Sequence, residues 1–113
     1  MKQFNFKIYH NPRCSKSREA FALLTDRGVE FEDYRYLKLG VASEDFEVLL
    51  ELKNLIRIGD LDKGSKYDLD NKSDLQTLLE INSKLLQRPI LIHNGKAVIG
   101  RPPKDILTLL HEV

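Results

Sequence analysis

Apolar and polar positions alternate over residues 4–9, where Phe4, Phe6 and Ile8 are separated by Asn5 and Lys7. A period of two predicts a first strand there. His10, Asn11 and Pro12 end it, because proline brings no N–H and disfavours helix at the residue before it. From residue 15 to about residue 27 the period changes to that of a helix with one buried stripe, formed by Ala20, Phe21, Leu23 and Leu24 with Ala22 between them. Gly28 stands where a helix ends on a residue of positive φ. Val29, Phe31, Tyr34, Tyr36 and Leu37, set among charges, predict a second strand over 29–37. Strand, helix, strand is a βαβ unit, which implies a parallel pair.

The middle of the chain reads as helical. Ser43, followed by Glu44 and Asp45, is a helix start with acids in its first turn, and Phe46, Val48, Leu49, Leu50 and Leu52 continue it. Residues 59–72 are polar, carry Gly59 and Gly64, and read as a loop. Ser73 and Asp74 open another helix with Leu75, Leu78, Leu79 and Ile81, and a helical turn follows through Leu85 and Leu86. Pro89 then introduces a short buried strand, Ile90, Leu91 and Ile92. Asn94-Gly95 is the hairpin signal, since both residues tolerate the positive φ of a type I′ turn, and Ala97, Val98 and Ile99 return as the partner strand. Gly100, Arg101, Pro102 and Pro103 end it, and Pro103 suits the first turn of a last helix carrying Ile106, Leu107, Leu109 and Leu110. The order is βαβ, a helical insertion over roughly 41–87, then ββα, in a single domain over 1–113. It predicts an α/β protein with a four-stranded mixed sheet. The thioredoxin-like fold is the commonest such arrangement, and a ferredoxin-like or other small α/β fold is the alternative.

At 113 residues the chain allows one domain. Hydrophobic residues at 42% and charged residues at 31% are a globular balance. Eighteen basic residues against seventeen acidic ones leave a net charge of +1, which argues against a general nucleic-acid or membrane-surface binder. No apolar run approaches the roughly 20 residues that span a bilayer, and residues 1–9 lack the apolar core of a signal peptide. Cys14 is the sole cysteine, so no intramolecular disulfide forms and a thiolate-rich structural zinc site is excluded. A free thiol is at home in the cytoplasm, the expected location.

Cys14 falls between the first strand and the first helix, where unsatisfied backbone N–H groups and the positive end of the helix dipole favour thiolate. Arg13, Lys16 and Arg18 add positive charge, as His10 does when protonated. A lowered pKa is what a nucleophilic cysteine needs, and the same nest with those cations holds an oxyanion. The bland alternative is inert packing. The polar neighbours Arg13, Ser15, Lys16 and Ser17 suit an exposed thiol better, and basic residues at a helix N-terminus make sense where an anion offsets them.

The run His10-Asn11-Pro12-Arg13-Cys14-Ser15-Lys16-Ser17-Arg18 resembles the H-N-P-x-C-x-x-S-R signature of the arsenate reductase (ArsC) family, in its thioredoxin-like branch related to the Spx regulators. The resemblance continues at Gln87-Arg88-Pro89-Ile90-Leu91-Ile92 and at Ile99-Gly100-Arg101-Pro102. It implies that Cys14 is the nucleophile attacking arsenate, with His10 and Arg18 favouring the thiolate and shaping its loop. Arg88, Arg101 and Ser17 are implied to bind the oxyanion, a task suited to the planar guanidinium fork. Asn11, Pro12 and Pro89 shape the site, Pro89 through a cis peptide bond. One position departs from the family: counting back from Tyr67, the place of a third anion-binding arginine holds Leu61, with Arg57 and Lys63 as nearby substitutes.

The implied activity is reduction of arsenate to arsenite through a covalent Cys14 adduct. With no second cysteine the enzyme cannot resolve its own intermediate, so glutathione or a glutaredoxin is the expected external reductant. No bound cofactor or metal is expected, no nucleic-acid or membrane partner, and a monomer. Two alternatives stand: a glutathione-dependent thiol reductase on another substrate, which Leu61 favours, and an Spx-like regulator that binds RNA polymerase. Those regulators often carry a Cys-x-x-Cys switch, whereas Ser17 stands three residues after Cys14 here.

Overall fold

The computed structural model describes residues 4–61, 64 and 66–112. They form two compact units, Met1–Arg35 with Arg88–Val113, and Tyr36–Gln87. The first unit holds β1 (Phe6–Tyr9), α1 (Ser15–Asp26), β2 (Phe31–Tyr34), β3 (Ile90–His93), β4 (Lys96–Ile99) and a closing 3-10 helix, Pro103–Glu112. The strands make the expected four-stranded mixed sheet in the order β2-β1-β3-β4. β1 runs parallel to β2, with Phe6 opposite Phe31, and antiparallel to β3, with Phe6 opposite His93.

Each first-unit element forms for a local reason. α1 ends in a Schellman motif, Val29 N–H donating to the Leu24 carbonyl and Gly28 N–H to that of Thr25, with Gly28 at φ 69° as expected. The β3–β4 hairpin turns on Asn94 (φ 50°) and Gly95 (φ 72°), both in the left-handed region that a type I′ turn requires. Between sheet and helices lies a core of Phe6, Ile8, Ala20, Leu24, Leu91, Ile106 and Leu109. α1 contributes Ala20 and Leu24 at the i, i+4 spacing of an α-helix. The closing helix buries Pro103, Ile106 and Leu109, a strict period of three. Three residues per turn is the geometry of a 3-10 helix, and this explains why the last helix is not the α-helix that its leucines suggested.

Several boundaries differ from expectation. β1 begins at Phe6, since Phe4 is exposed and the Asn5 carbonyl is bonded by His93 Nδ1 at 2.7 Å. β2 stops at Tyr34, and Tyr36 and Leu37 belong to a helical turn, α2 (Tyr36–Leu39), closed by Gly40 N–H on the Tyr36 carbonyl. The second unit therefore begins at Tyr36 rather than near residue 41. The helix expected from Ser43 is a 3-10 turn, Ser43–Asp45, followed by the four-residue α3 (Phe46–Leu49). Another 3-10 turn, Ile58–Asp60, falls in the polar stretch. α4 (Lys72–Ile81) is capped by Asn71, whose side chain accepts from the Asp74 N–H, so Ser73 is inside the helix rather than its start. The helix buries Leu75, Leu78 and Leu79. The expected turn at Leu85 is the 3-10 segment Ser83–Leu85. The second unit is tied across by Arg57 N–H to the Leu85 carbonyl (2.7 Å) and Gln87 N–H to that of Leu55 (2.8 Å). Among the described residues no helix is long and apolar enough to cross a membrane.

The hairpin register continues beyond its strands. Ile90 faces Ile99, and past that pair Gly100 N–H donates to the Pro89 carbonyl at 2.8 Å. The peptide bond into Pro89 is cis, as the resemblance implied, and so is the one into Pro102, which was not foreseen. A Cβ on Gly100 would lie 2.8 Å from Pro89 Cγ and 3.0 Å from Ile106 Cγ2. Neither neighbour is a flexible side-chain tip. Gly100→Ala is expected to destabilise the fold by about 1–3 kcal/mol, read as a lower urea midpoint at unchanged m-value.

Candidate active site

The loop after β1 is built by its own side chains. Asn11 Oδ1 accepts from Arg13 N–H (3.0 Å), and the Asn11 carbonyl accepts from Cys14 N–H (3.0 Å). This turn sets Cys14 at the N-cap of α1 in extended geometry, and the Cys14 carbonyl takes the first helical bond from Arg18 N–H. Arg18 Nη1 reaches back to the Pro12 carbonyl at 3.0 Å, pinning the loop from the helix side. Inside the loop Ser17 is wholly buried. Its Oγ accepts from Asn11 N–H at 2.9 Å and lies 2.7 Å from His10 Nδ1. The His10 ring packs on Phe21, with centroids 4.7 Å apart.

Two expectations are corrected here. The Ser17 hydroxyl is engaged in the loop interior with two protein partners, so it is a structural clasp and not an anion ligand; Ser17 serves the site through its backbone N–H. His10 is buried, and burial lowers its pKa below 6.5; Asp33 opposes the shift, while Arg35 and Arg18 reinforce it. The imidazole is therefore neutral at physiological pH and adds no positive charge to the thiol. A neutral ring leaves Nδ1 free to accept the Ser17 hydroxyl proton while Oγ accepts from Asn11.

Cys14 is partly exposed. Arg101 Nη2 lies 3.8 Å from its Sγ, and the Arg88 guanidinium hydrogen-bonds the sulfur. The two arginines are also linked to each other, Arg101 Nε donating to the Arg88 carbonyl at 3.0 Å. Burial alone would push the thiol up, but the Ser17 N–H, the Arg88 guanidinium and the Lys16 N–H outweigh it and hold the pKa below the ordinary cysteine range. Thiolate stabilisation thus comes from helix-start amides and Arg88. Lys16 acts through its backbone N–H rather than its ammonium, and the Arg18 guanidinium is turned to Pro12.

Arg57 and Leu61, the residues nearest the missing third arginine, lie in the second unit. Arg57 Nε is paired with Asp60 at 3.2 Å, and Leu61 lines a cavity of about 240 Å³ with Asp60, Tyr67, Leu78, Ile81, Asn82 and Leu85. Lys63 lies outside the described residues. Gly100 and the cis bond before Pro102 were missed as site-shaping features. The signal for them was present, since Arg-Pro occurs at both open ends of one hairpin.

A mixed sheet that sets one activated thiol at a helix start, with two arginines against its sulfur, defines a thioredoxin-like oxidoreductase working through a single cysteine. The comparisons give the family. The chain matches the model of the ArsC family over residues 9–109. It is 38% identical to an arsenate reductase of Neisseria meningitidis serogroup B over 92% of this chain and 97% of that protein. It is 40% identical to YfgD, an uncharacterized protein of Escherichia coli K12, over 92% of this chain and 95% of that one. The solved structures it resembles include an arsenate reductase from Vibrio cholerae, with a TM-score of 0.77 and 32% identity over 95% of this chain and 98% of that one. The protein belongs to the ArsC family.

The lowered Cys14 pKa is expected to appear as iodoacetamide alkylation that persists toward neutral pH, where a thiol of pKa about 8.5 would lose reactivity tenfold per unit. Arg88→Gln removes a stabiliser of the charged form, so the midpoint of the pH–rate profile moves up. For His10 the sign is set by a depressed folded-state pKa: between it and 6.5 the unfolded chain binds more protons than the folded one. Stability is therefore expected to fall as pH drops below about 6.5. His10→Gln should flatten that dependence in thermal melts between pH 5 and 7.

Proposed function

We propose that the protein reduces arsenate to arsenite through a covalent Cys14 adduct, with glutathione and a glutaredoxin supplying the electrons. The observation that carries this reading is a partly exposed sulfur whose pKa is lowered by helix-start N–H groups and Arg88, with Arg101 beside it. The paired guanidinium groups suit a tetrahedral oxyanion of arsenate size. The names of the Neisseria and Vibrio relatives point the same way.

The Cys14 thiolate attacks arsenic(V) and displaces an arsenate oxygen as water, the arginines stabilising the charge on the remaining oxygens. A glutathione thiolate then attacks Sγ. The S–As bond breaks with its electron pair remaining on arsenic, which leaves as arsenite at oxidation state III. Cys14 is left joined to glutathione in a mixed disulfide. A second thiol attacks the glutathione sulfur and frees the Cys14 thiolate. Two thiols lose one electron each and arsenic gains two. His10, Asn11, Arg18 and the Ser17 hydroxyl hold the loop and do not touch the reacting atoms, while the Ser17 N–H donates to the sulfur. The chemistry requires a reducing compartment, consistent with a cytoplasmic setting.

Leu61 favours a second reading, a glutathione-dependent reductase acting on another substrate with the same sulfur, because one guanidinium fewer removes a charge-assisted contact worth about 1.5–3 kcal/mol. Arsenite release with glutathione and glutaredoxin decides between them. The wild type is expected to turn over, Cys14→Ser to fall to background, and Arg88→Gln to lose at least tenfold in kcat/KM. Glutathionylation of Cys14 without arsenite release would select the second reading.

A further inference from the structure

Two cations of the active loop have no task in the chemistry described above. Arg13 stands directly before Cys14 and Lys16 two residues after it, and both are exposed. The Arg13 N–H donates to Asn11 Oδ1 and the Lys16 N–H to the sulfur, so in each residue the backbone builds the loop and the charged end is left over. Arg18 differs, since its guanidinium is bonded to the Pro12 carbonyl. Neither Arg13 nor Lys16 is held in an ion pair among the described residues, whose pairs include Arg35–Asp33, Arg57–Asp60 and Lys72–Glu51. Nor do the charges suit the helix they precede and open: the first turn of α1 holds no acid, and cations at a helix N-terminus oppose its dipole. Two charges that cost the helix stability and meet no carboxylate of their own chain point to something that arrives from solvent.

Both side chains are tethered within two residues of Cys14, which keeps their charges within about a Debye length of the sulfur, roughly 10 Å at 0.1 M salt. The side chains that contact the sulfur are those of Arg88 and Arg101. Arg13 and Lys16 act at longer range, on what approaches. We propose that Arg13 and Lys16 are specificity residues that select by charge: they concentrate oxyanions at the Cys14 sulfur and give uncharged molecules no such advantage. On the oxyanion reading of the site, on which this inference rests, the two charges also give the reaction a direction. Arsenate is anionic near neutral pH, whereas arsenous acid, the reduced product, is uncharged. The same field draws the substrate in and does not hold the product.

The test contains neither arsenate nor a reductant. Cys14 of the full chain is alkylated with iodoacetate, an anion, and separately with iodoacetamide, its neutral analogue. Both reagents react with the thiolate, so the ratio of the two rates cancels the thiolate fraction and reads the field at the sulfur. The wild-type ratio is expected to exceed that of 2-mercaptoethanol at low salt and to fall toward it as sodium chloride is added. Replacing both cations, Arg13→Gln with Lys16→Gln, is expected to lower the low-salt ratio about fivefold and to flatten its salt dependence. Lys16→Glu alone is expected to lower the ratio while raising the urea midpoint, because an acid in the first turn suits the helix dipole. A ratio in the double variant within twofold of wild type would overturn the proposal, and equal slowing with both reagents is that outcome, since it would assign the two cations to holding the loop. A Lys16→Glu ratio that falls only together with the urea midpoint would overturn it as well. Absence of arsenite release in the turnover assay would sink the arsenate reading and leave the ratio standing.

Discussion

The site depends on one register. Because Asn94-Gly95 is a two-residue turn and Ile90 pairs with Ile99, Pro89 must lie opposite Gly100 and Arg88 opposite Arg101. The hydrogen bonds from Gly100 N–H to the Pro89 carbonyl and from Arg101 Nε to the Arg88 carbonyl extend the ladder beyond the strands and lock the two arginines side by side. A slip of one residue would send alternate side chains to the wrong face and separate the guanidinium groups. The close fit of Pro89 and Ile106 around the bare Cα of Gly100 couples that register to the hydrophobic core.

The other half of the site is held by a neutral network. A charged histidine beside a thiolate would be an obvious source of stabilisation, yet His10 is buried and already faces Arg18 and Arg35, so further positive charge there is disfavoured. Neutral imidazole, serine hydroxyl and asparagine amide instead close a ring of short hydrogen bonds that fixes the turn. Charge is delivered from across the site by arginines, which retain theirs at any physiological pH. Loop shape and thiolate stability are thus assigned to different residues.

Much of this was legible in the chain. Arg88 and Arg101 are equidistant from the Asn94-Gly95 turn; β1 and α1 follow from period, and β3 and β4 from Pro89, their apolar runs and that turn. The errors have local causes. Tyr36 and Leu37 favour strands by residue type but close a helical turn. Ser73 resembles a cap until Asn71 takes that role two residues earlier. The last helix carries apolar residues compatible with both helical periods, and only packing of Pro103, Ile106 and Leu109 chooses three per turn. Ser17 was misassigned because a motif gives residue identity and not side-chain direction, and only the structure shows its hydroxyl turned inward.

The start of α1 shows why these features belong together. An ordinary helix would place Ser, Thr, Asp or Asn at the N-cap, a choice worth about 0.5–2 kcal/mol over alanine. Here the N-cap is Cys14 and no acid occupies the first turn. A neutral thiol is a poor acceptor, so Lys16 and Ser17 N–H groups gain a full partner only when the sulfur is ionised. Lowering of the cysteine pKa by the helix and support of the helix by the thiolate are therefore one coupling seen from two sides. Its sign follows from the depressed folded-state pKa: the stabilisation is present above the unfolded thiol's pKa and lost as pH falls through the folded one. In the proposed reaction, bonding the sulfur to arsenic or to glutathione withdraws the same support, so each intermediate leaves the helix start less well capped than the free thiolate. Release of Cys14 restores the cap, and the fold itself thereby favours return of the free nucleophile.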